Sequence, residues 1–349
     1  MKKSLIALAA LAAVGAVSAE SSVTLYGIVD TYLQAKSTDT GKTNGSLTQS
    51  FLNSGGVNGS RWGMKGTEDL GGGLKANFQL ESGFAADTGA STSGTLLFSR
   101  QSWVGLSGNF GAVKAGRAQT PYEDLRAGAV RFDLSILAPA SMVFKSWQHT
   151  KFTDNTIKYE SSVYSGFSGA VSYGLGEDKT VTTDATNKTA FNLAYTLGAL
   201  NTSFAYQVET LAPAAGRGDK KFSQFNVSYD LGAWVAKANA GQARNIGNIT
   251  NADATDYQFG FDYKASSALT LSGSFAHSVD NSTQSVIDAI GMAGTGTGDV
   301  KRSGIGLGAT YTLSKRTFLY GGYVNSAQTR SGASDVKDSS LAAGVQHRF

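Results

Sequence analysis

The chain has 349 residues, with 30 Lys and Arg against 26 Asp and Glu, 43 Gly, only 3 Pro and no Cys. No disulfide framework or thiolate metal site is available, so stability must come from burial and backbone pairing. The near balance of charge argues against nucleic acid as a partner, which demands a strongly basic surface.

Residues 1–19 read as a secretory signal: Lys2 and Lys3 lead an apolar stretch from Leu5 to Val17, and Val17-Ser18-Ala19 is a small-residue cleavage pattern. That apolar core is too short to span a bilayer, which takes about 20 residues. The mature chain is therefore expected to begin near Glu20, to leave the cytoplasm without a helical anchor, and to form one repetitive domain over 20–349. Gly, Asn, Asp and Ser clusters recur along the whole length rather than once or twice as linkers do.

Strand patterns of period two follow in chain order. Leu74, Ala76, Phe78 and Leu80 alternate with polar neighbours, as do Phe167 to Leu175 and Phe191 to Leu197. Tyr257, Phe259, Phe261 and Tyr263 repeat the pattern, as do Ile305 to Leu313 and the last residues from Leu341 to Phe349. Tight turns are read at Asp69 to Gly73, Gly108 to Gly111, Ser165-Gly166, Leu197 to Leu200, Asp230 to Gly232, Lys264 to Leu269 and Ser314 to Arg316. Long polar connections are read near 36–58, 85–97, 118–153, 177–188, 210–220, 243–254, 280–300 and 328–338. Long and short alternate strictly, so sixteen strands place every long loop at one end of the molecule. That is the plan of an all-β transmembrane antiparallel barrel, with short periplasmic turns and long external loops.

Sixteen strands enclose a lumen too wide for side chains to fill, so the apolar face must point outward into lipid and the polar face must line water. Closure pairs every backbone group in the hydrocarbon layer. A soluble β-rich adhesin, whose apolar face would pack inward, is the competing architecture. In the barrel, Leu341, Ala343, Val345, His347 and Phe349 share the lipid face of the closing strand, and Phe349 sits at the interface girdle.

Ser60-Arg61-Trp62-Gly63-Met64-Lys65-Gly66-Thr67-Glu68-Asp69-Leu70-Gly71-Gly72-Gly73-Leu74-Lys75-Ala76 resembles the signature of the trimeric Gram-negative general porins. Phe98 to Leu106, Gly111 to Gln119, the start Ser22-Val23-Thr24-Leu25-Tyr26-Gly27 and the terminal Phe349 are similar to the same family. The resemblance implies a homotrimer in the outer membrane whose third external loop folds inward to narrow the lumen. It also implies that Phe349 is the assembly signal read by the barrel assembly machinery.

Parity places Arg61 with Gly63 and Lys65 on the luminal face, Glu81 with Lys75, Asn77 and Gln79, and Lys158 opposite Ile157 and Tyr159. The longest loop, near 118–153, carries Pro121-Tyr122-Glu123-Asp124 and Asp133. The resemblance adds Arg100 to the basic wall and makes Asp124 its acidic counterpart. Parity does not place Arg100, since turning it inward also turns Val104 and Leu106 inward unless a bulge intervenes. Lys158 stands where the family commonly has arginine and lacks the planar fork of a guanidinium. The expected constriction is thus Arg61, Arg100 and Lys158 facing Glu81, Asp124 and Asp133.

Opposed charges across water would filter ions without tight binding. The leading function is a general diffusion channel for ions and small hydrophilic solutes; a substrate-specific outer-membrane channel is the alternative. A dedicated sugar channel would show an aromatic slide along the lumen, whereas these aromatics fall mostly on the lipid face. His149, His277 and His347 are scattered and suggest no triad, and no cofactor or metal is expected.

Overall fold

The computed structural model describes residues 22–41, 45–126, 135–211, 217–281 and 297–349. The expected signal at 1–19 and Asp133 lie outside the described residues. Seventeen strand segments close into one antiparallel sheet: β1 (Ser22–Asp39), β2 (Ser46–Ser54), β3 (Arg61–Gly71), β4 (Leu74–Gly83), β5 (Gln101–Gly108), β6 (Gly111–Gln119), β7 (Phe152–Glu160), β8 (Phe167–Gly174), β9 (Asn187–Leu197), β10 (Leu200–Thr210), β11 (Lys220–Asp230), β12 (Trp234–Arg244), β13 (Ala254–Lys264), β14 (Leu269–Asp280), β15 (Thr297–Thr312), β16 (Thr317–Ser331) and β17 (Val336–Arg348). One side of β1 pairs with β17 over Ile28–Asp39. The other side pairs with β2 at its upper half and with β3 at its lower half. β2 and β3 are therefore two pieces of one stave, and the barrel has sixteen.

All seven tight turns fall where the sequence placed them. The long connections differ at two places. β1 and β2 stay paired as far as Asp39 and Ser46, and β16 and β17 end four residues apart, so 36–58 and 328–338 are mostly strand. Polar sequence signals exposure to water, and strands that rise above the bilayer are polar on both faces while their ladders continue. Residues 55–60, the part of the first connection that follows β2, turn into the lumen.

The outer surface is the apolar one: Leu193, Phe225, Phe259, Leu307, Leu341 and Val345 are exposed there, while Gln224, Gln258 and Gln346 on the opposite face are buried. Closure uses the final residue. The Phe349 N–H donates to the Gly27 carbonyl and the Gly27 N–H donates to the Phe349 carbonyl, both at 3.1 Å. The Phe349 ring covers Gly27 so closely that a β-carbon there would lie 2.2 Å from it. Deleting Phe349 removes this reciprocal pair and the lipid-facing ring together. The deletion is expected to cut the yield of heat-modifiable folded protein severely, measured by unheated electrophoresis of membrane fractions; unchanged yield would refute a role in closure.

The third external loop contains two short helices, α1 (Pro121–Arg126) and α2 (Pro139–Val143). α1 packs on β8, β9 and β10, and α2 packs on β14, β15 and β16. The loop thus follows the half of the wall opposite β3–β7, and the pathway is left between the two.

Candidate functional site

The luminal wall is built to hold this loop. Small luminal residues make sockets for its aromatics. Tyr122 is fully buried among Ala205, Phe222, Ala243 and Ala254, and Phe144 and Trp147 pack around Ala276. Long polar side chains beside the sockets bind loop backbone: Asn192 donates to the Pro121 carbonyl at 2.7 Å and Gln224 to the Tyr122 carbonyl at 3.0 Å. Asp256 accepts the Ser146 N–H at 2.7 Å, and Glu209 accepts the Thr150 N–H at 2.6 Å.

Inside the loop, Glu123 takes a two-point bond from Arg126, at 2.5 and 2.7 Å, and lies 3.0 Å from the His149 ring nitrogen. Burial pushes the Glu123 carboxyl up, but its bonds to Arg126 and His149 outweigh burial and bring it down to about 2. Burial pushes the His149 imidazole below its ordinary range, against the pull of Glu123. Both shifts have one sign for stability. A depressed carboxyl stabilises the docked loop above the ordinary value of 4.5 and loses that support as pH falls toward 2. A histidine with a depressed value resists the proton that the undocked loop would accept below 6.5. Acid is therefore expected to loosen the loop, beginning below neutrality and steepening below pH 4.5. Limited proteolysis of the detergent-solubilised protein between pH 7 and 3 checks this, and Glu123→Gln should flatten the steep part.

Across the lumen, two clusters of charge occupy β3–β7. In the first, the Arg100 Nε is 2.6 Å and the Arg61 Nε 3.9 Å from the Glu81 carboxylate, which also accepts the Tyr26 hydroxyl at 2.9 Å. In the second, the Lys158 Nζ lies 2.5 Å from Asp124 and 3.0 Å from Glu160, and Glu160 is 2.7 Å from the Lys114 Nζ. Lys114 and Lys158 are direct register partners. On β7 the Phe152 ring takes two guanidinium groups, with the Arg100 and Arg117 guanidinium carbons 4.9 and 5.8 Å from its centre.

The structure brings Arg61, Arg100 and Glu81 together and joins Lys158 to Asp124; these are direct ion pairs rather than rows opposed across water. Luminal parity holds for Arg61, Glu81 and Lys158. Arg100 enters the lumen by the bulge that parity required. Its N–H donates to the Glu81 carbonyl while Gln101 is the register partner of that same residue, so two residues face one, and Val104 and Leu106 stay outside.

Lys114 and Glu160 of the second cluster, and the Arg117–Asp154 ion pair between β6 and β7, were not singled out in the sequence. Lys114 was accessible to parity, alternating with Val113 and Ala115. Arg117 was not: parity puts it with the lipid-facing residues. The ladder between β6 and β7 slips at this point, beside Asn155 with φ 51°, and the Arg117 side chain reaches Asp154 at 2.6 Å.

The Gram-negative porin family model matches residues 6–331 of the chain. An outer membrane porin protein of Bordetella pertussis is 33% identical, with the whole of both chains covered. Outer membrane porin protein 32 of Delftia acidovorans is 33% identical over 92% of this chain and 88% of its own. Among solved structures, the anion-selective porin from Comamonas acidovorans covers 95% of this chain and all of its own at 26% identity and a TM-score of 0.75. A closed sixteen-stave barrel with apolar outside, charged lumen and inward third loop, matched by a family model over most of its length, settles the affiliation: the chain belongs to the Gram-negative porins, outer-membrane channels for ions and small hydrophilic solutes.

Proposed function

We propose that this porin favours anions, and that Arg61, Arg100, Lys158, Glu81 and Asp124 form its selective constriction, with Arg117, Lys114 and Glu160 completing it. The observation that carries the reading is an excess of base on the pore side of the wall. Arg61, Arg100, Arg117, Lys114 and Lys158, with Lys65 and Lys151 nearby, outnumber Glu81, Asp124, Asp154 and Glu160. Ion pairing consumes the acids and leaves a positive remainder, which a water-filled passage presents to passing ions. The likeness to an anion-selective porin supports the same sign. Asp133 remains a proposed acidic member of the loop. In a planar bilayer with a tenfold salt gradient, the reversal potential should carry the sign of anion preference; the cation sign would reject the reading.

The proposal extends to biogenesis: export through the signal at 1–19, recognition of Phe349 by the barrel assembly machinery, and assembly as a homotrimer in outer-membrane lipid. OmpT of Vibrio cholerae, which shares the fold, is described in a trimer form. Cross-linking of the purified protein tests the stoichiometry.

A further inference from the structure

Below the constriction, toward the short turns, the luminal faces of β1 and β3–β6 form a groove of about 350 Å³. Two rungs of the sheet make its floor. Lys65, Gln79 and Trp103 lie on one; Thr67, Asn77, Gly105 and Lys114 lie on the next. Lys65 and Lys114 stand three strand spacings apart, roughly 14 Å across the strands with one rung's offset along them, and flank the groove. Gly105 places no side chain between Asn77 and Lys114, so the floor is open there.

The polar groups of this groove differ from those of the constriction. Its cations, Lys65 and Lys114, are both ammonium groups, whereas the constriction combines ammonium groups with the guanidinium forks of Arg61, Arg100 and Arg117. Lys114 rests 4.7 Å from the Trp103 ring centre and is paired with Glu160. Lys65 is exposed, rests 5.4 Å from the Tyr26 ring centre, and makes no ion pair among the described residues. Across the floor Thr67 donates to Asn77 at 3.0 Å and Asn77 donates to Ser107 at 2.9 Å. Ser107 accepts in that ladder and keeps a hydroxyl proton to donate.

We propose that this groove is a weak binding site for phosphate monoesters of small polyhydroxylated solutes, the phosphate seated against Lys65 and the hydroxyl groups on the Thr67, Asn77 and Ser107 ladder. The inference deepens the anion-favouring reading and rests on it for the approach of the solute. An ammonium binds phosphate as a compact point charge, without the fixed two-point geometry that a guanidinium fork imposes on phosphate and carboxylate alike. The volume falls at the small end of the roughly 300–1,000 Å³ typical of ligand pockets. A site in a channel must release its solute, and one unpaired ammonium in contact with water holds a phosphate only weakly.

The test uses the whole mature porin in a planar bilayer, with glucose 6-phosphate, glucose and inorganic phosphate as probes added to the short-turn side. Glucose 6-phosphate is expected to interrupt the current several-fold more often than inorganic phosphate, and glucose not at all. Lys65→Gln should weaken that block roughly five-fold, the scale of one solvent-accessible charge contact. Asn77→Ala keeps the charge, so it should weaken the sugar phosphate block and leave inorganic phosphate unchanged. Equal block by the two phosphates, or block untouched by both substitutions in heat-modifiable protein, overturns the proposal. Loss of anion preference in the salt gradient with Lys65-dependent block retained would sink the selectivity reading and leave the site standing.

Discussion

Replacing Arg61 and Lys158 by serine is expected to shift the pore toward cations, and replacing Asp124 by asparagine is expected to shift it toward anions. The first pair of changes strips two positive charges from the pore side and leaves Glu81 and Asp124 less compensated, since these carboxylates are their direct partners. A unit charge at 4 Å contributes about 1 kcal/mol even in bulk water, so a several-fold change in the permeability ratio is the expected scale. The Asp124 exchange frees Lys158 from one partner while Glu160 stays at 3.0 Å, so its effect should be smaller and opposite. Both effects should fade in molar salt, where the screening length drops from about 8 Å to about 3 Å. Reversal potentials at low and high salt measure this. Selectivity unmoved at low salt by either change would mean that these side chains do not line the passage, although the barrel would stand.

The second large effect concerns Asp30, a fully buried luminal carboxylate of β1. It accepts the backbone N–H groups of Gly56, Val57 and Asn58 at 3.0, 3.1 and 3.0 Å, and the Tyr320 hydroxyl at 2.6 Å. These bonds pin residues 55–60 inside the lumen. Gly56 is required there, since a β-carbon would lie 2.0 Å from the Tyr320 oxygen. The pinned segment holds the third loop in turn: the Ile136 N–H donates to the Gly56 carbonyl at 2.9 Å, and Val57 packs with Leu137, Tyr32 and Tyr320. Asp30→Ala leaves three amide groups without an acceptor, each costing about 1–3 kcal/mol if it stays buried. The variant is expected to unfold at markedly lower temperature in heat-modifiability assays and to show noisy single-channel current as the loop loses its prop. Asp30→Asn keeps an acceptor oxygen and should fall between. Wild-type stability and quiet current in Asp30→Ala would show that the inward segment is held by packing alone.

The barrel was legible in the amino-acid sequence because its two solvents impose a strict code. Lipid on one face and water on the other force period-two alternation, so Phe259 and Gln258 take opposite faces whatever the neighbouring strands contain. Turn residues then fix the stave count, and parity alone assigns Arg61, Glu81 and Lys158 to the lumen. Polarity could not locate the ends of β1, β2, β16 and β17, because a strand above the membrane and a loop are both polar.

The tertiary structure decided what departs from regular alternation. Arg100 and Arg117 come together at the Phe152 ring only where a ladder slips, and a slip depends on register between strands rather than on the local pattern. Likewise, nothing in an alanine of β10, β12 or β14 announces that it is a socket for Tyr122 or Phe144. That meaning arises when a loop distant in sequence crosses the lumen and finds space where a larger residue would stand. The sequence by itself determined a lipid-facing cylinder with a charged interior, since each residue of a stave meets its solvent directly. The pairing of Arg100 with Glu81, of Lys158 with Asp124, and of Asp30 with residues 55–60 was decided by closure, which alone brings these side chains within hydrogen-bonding reach.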